Sequence, residues 1–187
     1  MRCRMRFRIV FVISLSSICL GCVRTQMTSQ TRQELRGLTY HRVLAKASFQ
    51  NLKFRRIGEE RLCSEIVKKT MCTCLRSAEI FFPGQEWPAE EVASHLVNLE
   101  VDAILTLEPT ERGTFSAYVP ATEYSKGFFV DKPWSNYKVE LWSTAVGQIA
   151  WYATGTSSAG AYRSQSDLIR STSSKVVGKL ISDGVLR

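Results

Sequence analysis

Apolar and polar positions along the chain fall into short runs whose period changes between strand and helix. "YHRVLAKASF" alternates and predicts a strand. In "NLKFRRIGEERLCSEIVKKT", Leu52, Ile57, Leu62, Ile66 and Val67 recur at near-helical spacing, and Asn51 stands where it can cap the first turn. "MCTCLRSAEIFF" predicts a second strand, which "PGQEWP" ends. "PAEEVASHLVNL" predicts a short helix, with Pro88 suited to the first helical position and Glu90 and Glu91 to the positive end of the helix dipole. "VDAILTLEP" is apolar on both faces, the pattern of a central strand.

The second half reads differently. "GTFSAYVPATEY" predicts a strand whose Pro120 points to an edge or a bulge. A loop, "SKGFFVDKPWS", follows. "NYKVELWSTAVGQIAWYATGTSS" predicts a hairpin turning at Gly147, with Val139 and Leu141 facing the core on one arm and Ile149, Trp151 and Ala153 on the return. In "SQSDLIRSTSSKVVGKLISDGVLR", Leu168, Ile169, Val176, Val177, Leu180 and Ile181 give a helix one apolar side, with Ser164 or Ser166 as cap and Gly184 as stop.

The predicted order is β-α-β-α-β-β-β-β-α. Crossovers between parallel strands are right-handed, which makes the first three strands parallel and places both intervening helices on one face. The expected fold class is α/β: a two-layer sandwich with a mixed sheet and its helices on one face. No internal repeat of solenoid length is present.

Ahead of this domain stands "RMRFRIVFVISLSSICLGCVRTQ". Arg2, Arg4, Arg6 and Arg8 form a basic start, and Ile9 to Leu20 carries no charge. That run is shorter than the roughly 20 apolar residues a bilayer span needs. It ends in Cys19-Leu20-Gly21-Cys22, which resembles the lipobox of bacterial lipoproteins. The resemblance implies that Gly21 is the last residue removed and that Cys22 becomes an acylated amino terminus. Cys19 departs from the pattern, since the family usually carries Leu there. An ordinary secretory signal and an uncleaved anchor are the competing readings. The division expected is a signal peptide over 1–21, a lipidated Cys22 with a flexible tether over 22–38, and one domain over 39–187. Val23 follows Cys22 where an Asp would retain the protein at the inner membrane. The family's sorting habit therefore implies the outer membrane, facing the periplasm.

A second resemblance lies in the domain. "LWSTAVGQIAWYATGTSS" and "EIFFPGQEWPAEEVASHLVNLEVDAILTLEP" resemble pieces of small exported bacterial lipoproteins. In element order the chain is similar to the amino-terminal domain of TolB and the periplasmic domain of the curli-secretion lipoprotein. This implies a fold and a compartment but no activity.

Charge and chemistry add limits. The formal charge of +8 falls to +4 without the four signal arginines. No Arg/Lys run or nucleic-acid motif is present, so nucleic acid is not an expected partner. Cys63, Cys72 and Cys74 remain beyond the leader; an odd count leaves at least one thiol free within a molecule. Small core residues, a disulfide from Cys63 to Cys72 or Cys74, and a soft-metal site all fit these three. His41 and His95 have no ligand-like spacing, and the serines show no nucleophile pattern. No catalytic residue, metal ligand or cofactor is assigned. Tyr118, Tyr124, Phe128, Phe129 and Trp134 gather around a long loop, as a lid over the open sheet face or as a partner surface. The expected function is a non-enzymatic binding or assembly module anchored in the envelope, with membrane lipid and an envelope protein as partners. The alternative is a periplasmic module for a small ligand or a soft metal.

Overall fold

The computed structural model describes residues 22–121, 123, 125–160 and 162–187. Six strands form one mixed sheet: β1 (Val23–Thr31), β2 (Arg42–Ala47), β3 (Thr73–Arg76), β4 (Ala103–Val119), β5 (Phe128–Ser143) and β6 (Gln148–Ala159). Their spatial order is β1-β6-β5-β4-β2-β3. β2 runs parallel to both β3 and β4, and the other pairings are antiparallel. The helices are α1 (Leu52–Lys69), the single turn α2 (Ser77–Ile80), α3 (Ala89–Asn98) and α4 (Gln165–Ser182). This is the expected α/β sandwich with a mixed sheet.

The inner face of the sheet carries the main core. Val43, Ala45 and Ala47 of β2, Leu105 and Leu107 of β4, Val139 and Leu141 of β5, and Trp151 and Ala153 of β6 alternate onto it. They meet Leu62 and Ile66 of α1 and Val176, Val177 and Leu180 of α4, nearly all fully buried. Local signals set the helix ends. Asn51 accepts from the backbone N–H groups of Lys53 and Phe54, so it caps α1. Ser164 and Asp167 form a reciprocal capping box on α4. Gly184 adopts φ +72° just after α4, where a side chain would be strained.

The structure departs from the sequence expectation at four places. First, α3 does not join the α1–α4 layer. Leu44, one residue out of phase with Val43, packs with Leu96 and Val101 in a separate cluster on the outer face. The reason is strand order. The chain steps outward from β2 to β3, then back across β2 to β4, and a right-handed crossover in the reverse direction lands on the opposite face.

Second, residues 23–31 are not a flexible tether. They form edge strand β1, paired along its length with β6 from Val23↔Ala159 to Thr31↔Trp151. Third, the segment expected as a strand over 71–82 gives only Thr73–Arg76 before turning into α2, whereas the two strands expected around Pro109 are one strand, β4. An extra residue, Thr110, is absorbed by a bulge between Pro109 and Glu111. Fourth, a bulge at Ala150 changes the phase of β6. Trp151 pairs opposite Leu141 and is fully buried, but Ile149 pairs opposite Trp142 and leaves the core.

Candidate functional site

Two features of the fold lie outside what the core requires. The first is an arm. β2 accompanies β4 only as far as Leu107, and β6 accompanies β5 only as far as Trp134. Beyond those points β4 and β5 pair only with each other, from Thr114↔Pro133 to Val119↔Phe128. This two-stranded extension leaves backbone groups on both edges without a strand neighbour. It also carries exposed aromatics: Phe115 is 46% exposed, Tyr118 58% and Phe129 72%. Tyr118 and Phe129 lie directly opposite with ring centroids 5.3 Å apart. Phe128 meets Tyr162 at 6.4 Å, and the Lys132 ammonium sits 6.0 Å from the Phe115 ring. Trp134 lies across Gly113, whose Cβ would meet the indole at 2.8 Å. The lid expectation is therefore corrected for Tyr118, Phe128 and Phe129, which stand out on an arm instead of folding over the sheet, while Trp134 stays within the sheet opposite Ser158. Tyr124 lies outside the described residues.

What does cover the outer face is the α2–α3 segment, and it leaves a cavity of about 500 Å³. Cross-strand register builds the floor in two rows. Leu44, Ile104 and Trp142 form an apolar row, and Lys46, Thr106 and Glu140 a polar one. Phe81 and Trp87 stand above as the wall, with ring centroids 5.4 Å apart in an edge-to-face pair, and His95 completes a three-ring cluster at 5.4 Å from Trp87. Arg55 and Ser77 close one end.

Their placement rests on Glu59, which is fully buried in α1. Its carboxylate accepts from Arg55 Nε at 3.0 Å, from the Ala78 N–H at 2.9 Å and from the Ala47 N–H at 3.3 Å. Arg55 also donates to Ser77 Oγ at 3.3 Å. One carboxylate thus ties β2, α1 and α2 together at the cavity's end. Glu140 faces Lys138 at 3.6 Å. Lys46 is exposed and has no carboxylate partner among the described residues.

The residues singled out from the sequence are scattered. Cys22 is exposed, and its carbonyl accepts from the Gly160 N–H at 3.1 Å, so an anchor there would leave directly from the edge of the sheet. Gly21 and the leader lie outside the described residues. Cys63 and Cys74 are joined in a disulfide with Cα atoms 5.1 Å apart, and Cys72 is a buried free thiol donating to the Tyr40 carbonyl at 3.0 Å. Two of the three cysteines are consumed in the bond, so a three-thiolate metal site is not formed. Among the described residues no group of three His, Cys, Asp or Glu is placed to hold a metal. His95 lies on α3 and His41 just before β2, where its backbone N–H donates to Asp102 at 2.6 Å.

Several serines and threonines have a structural task that the sequence reading missed. Thr25 of β1, Ser157 of β6 and Thr172 of α4 form a hydroxyl chain at 2.8 and 2.7 Å. Asp183 just beyond α4 accepts from Trp151 Nε1 at 2.8 Å and from Lys179 Nζ at 2.7 Å. Burial pushes the Asp183 carboxyl up, but bonds from Lys179, Ser29 and Trp151 outweigh it and hold the group below its ordinary value. Burial pushes the Tyr137 hydroxyl up to about 12, and it donates to the Gln26 carbonyl at 3.1 Å.

The comparisons with known proteins bear on the fold. No family model matches the sequence, and no curated protein matches it. Among solved structures, the chain is similar to the PelC dodecamer from Paraburkholderia phytofirmans. The two are 14% identical over 88% of this chain and 99% of that one, with a TM-score of 0.52. It is also similar to the lipoprotein GNA1162 from Neisseria meningitidis, at 16% identity over 76% of this chain and 99% of that one, TM-score 0.45. A minor lipoprotein from Acinetobacter baumannii matches at 8% identity over 79% and 96%, TM-score 0.31. The PelC likeness establishes a shared α/β fold, which by itself carries no activity. The two fainter likenesses add bacterial lipoproteins to the neighbours and bear no further weight. Among the described residues no helix is long and apolar enough to cross a membrane.

Proposed function

We propose that the chain is a bacterial envelope lipoprotein, acylated at Cys22 after removal of residues 1–21, that acts as a non-enzymatic assembly module by associating with further copies of itself. The observation that carries this reading is the β4–β5 arm. A two-stranded projection with open edges and exposed Phe115, Tyr118 and Phe129 costs solvation that only a partner recovers. PelC, which shares this fold, forms a dodecamer, and this supports self-association here. The leader and the Cys22 context support the anchor, and Val23 supports the outer membrane, facing the periplasm. The narrower likeness to the TolB amino-terminal domain and the curli-secretion lipoprotein belongs to the same reading. The partners are then membrane lipid and other copies of the chain.

Two measurements test it. Labelled palmitate should enter the wild type and not Cys22→Ser; equal labelling would remove the anchor. Light scattering on the detergent-solubilised lipoprotein should give a multiple of the monomer mass. The triple substitution of Phe115, Tyr118 and Phe129 by Ala should return it to a folded monomer, because exposed side chains usually change the chain's own stability by only about 0.5 kcal/mol. A wild type that is monomeric at micromolar concentration refutes the assembly reading.

A further inference from the structure

We propose that the outer-face cavity is a binding site for a small amphipathic anion, an aromatic or branched apolar body that carries one carboxylate or sulfonate group. This inference does not depend on the arm or on self-association.

Size comes first. A cavity of about 500 Å³ falls within the usual range for small-molecule sites, roughly 300–1,000 Å³. Its lining then divides by chemistry. Leu44, Ile104 and Trp142 offer a flat apolar bed, and Phe81 and Trp87 face it from the α2–α3 segment. Trp142 is 41% exposed, so its ring keeps apolar area available to a ligand. A planar or branched body fits between the bed and the wall, where ring-on-ring packing adds to burial.

Charge decides the sign of the polar group. Three charged side chains reach the cavity: Arg55, Glu140 and Lys46. Arg55 is neutralised by Glu59 at 3.0 Å, and Glu140 faces Lys138 at 3.6 Å. Lys46 alone lacks a carboxylate. It sits in register beside Thr106, one row from the apolar bed. A ligand lying on Ile104 with its anionic group toward Lys46 Nζ satisfies both rows together. Neither the core nor the assembly reading gives Lys46 a role.

The probe for the test is anilinonaphthalene sulfonate, an aromatic anion of this description, titrated into the folded protein with its emission and the protein's tryptophan quenching read together. Phenylnaphthylamine, the same body without the sulfonate, is the neutral control. The sulfonate should bind one per chain, and salt should weaken it. Lys46→Gln should weaken the sulfonate about fivefold, as expected of a partly screened ion pair, and leave the neutral probe unchanged. Ile104→Trp should fill the bed and abolish both. Lys46 is exposed, so Lys46→Gln tests the proposal even if Ile104→Trp does not fold. The arm triple variant should bind the sulfonate as the wild type does. The proposal is overturned if Lys46→Gln changes both probes alike or neither, or if the arm variant loses the sulfonate.

Discussion

Replacing Asp183 by Ala should destabilise the domain by about 1–4 kcal/mol at neutral pH. The carboxylate joins three elements: it accepts from Trp151 of β6, Ser29 of β1 and Lys179 of α4. Trp151 is fully buried, so its indole N–H would be left without an acceptor, at a cost of about 1–3 kcal/mol. Lys179 is 32% exposed and regains water, so the ion pair adds only about 0–1 kcal/mol. Urea unfolding at pH 7 reads the sum. A double-mutant cycle isolates the main part. Trp151→Phe removes the indole N–H while keeping a ring, so Asp183→Ala should cost less in that background. The expected coupling is about 1–2 kcal/mol.

The same contact fixes an acid dependence. The folded carboxyl is held below its ordinary 3.8, so it is a depressed group. Its stabilisation is fully present above that value and is lost as pH falls through the folded value. The wild type should therefore lose an increment of stability below pH 3.8 that Asp183→Ala lacks. Additive substitutions in the cycle, or identical acid slopes for the two proteins, would refute the assignment.

The disulfide and the β1–β6 pairing give two more tests. Cys74→Ser should lower stability by about 2–3 kcal/mol for a closure spanning 11 residues, and reductant should bring the wild type, but not the variant, down to that level; a wild type indifferent to reductant would mean that the bond contributes nothing. Gly155→Ala would drive its Cβ into the Gln26 carbonyl and to 2.5 Å from Tyr137 Oη, so it should cost about 1–3 kcal/mol and raise amide exchange along β1; unchanged exchange there would mean that the close approach is relieved without disturbing the edge strand.

What the sequence made legible was mostly local. Asn51, Ser164 and Gly184 act through neighbours a few residues away, so the ends of α1 and α4 could be read from spacing. Gly147 in the β5–β6 turn is the same case, with φ +67°. β1 was not legible, because its half-buried positions are Val23, Thr25, Met27, Ser29 and Thr31. Three of those five carry hydroxyls, so no apolar alternation marks the strand. Thr25 and Ser29 find polar partners in β6, α4 and Asp183, more than 130 residues away.

By itself the sequence determined the alternation of strands and helices, the buried face of α4 and the odd thiol, since each follows from residue type at fixed spacing. Tertiary structure decided the rest. Cys72 and Cys74 were equal candidates on one strand, and only the seat of α1 over β3 gave Cys63 to Cys74. The face of α3 depended on strand order, and so did the cavity beneath it, because Lys46, Thr106 and Glu140 come from three strands and meet only through register. Such placements are fixed by which strands pair, a choice made by the free energy of the whole core rather than by any one segment.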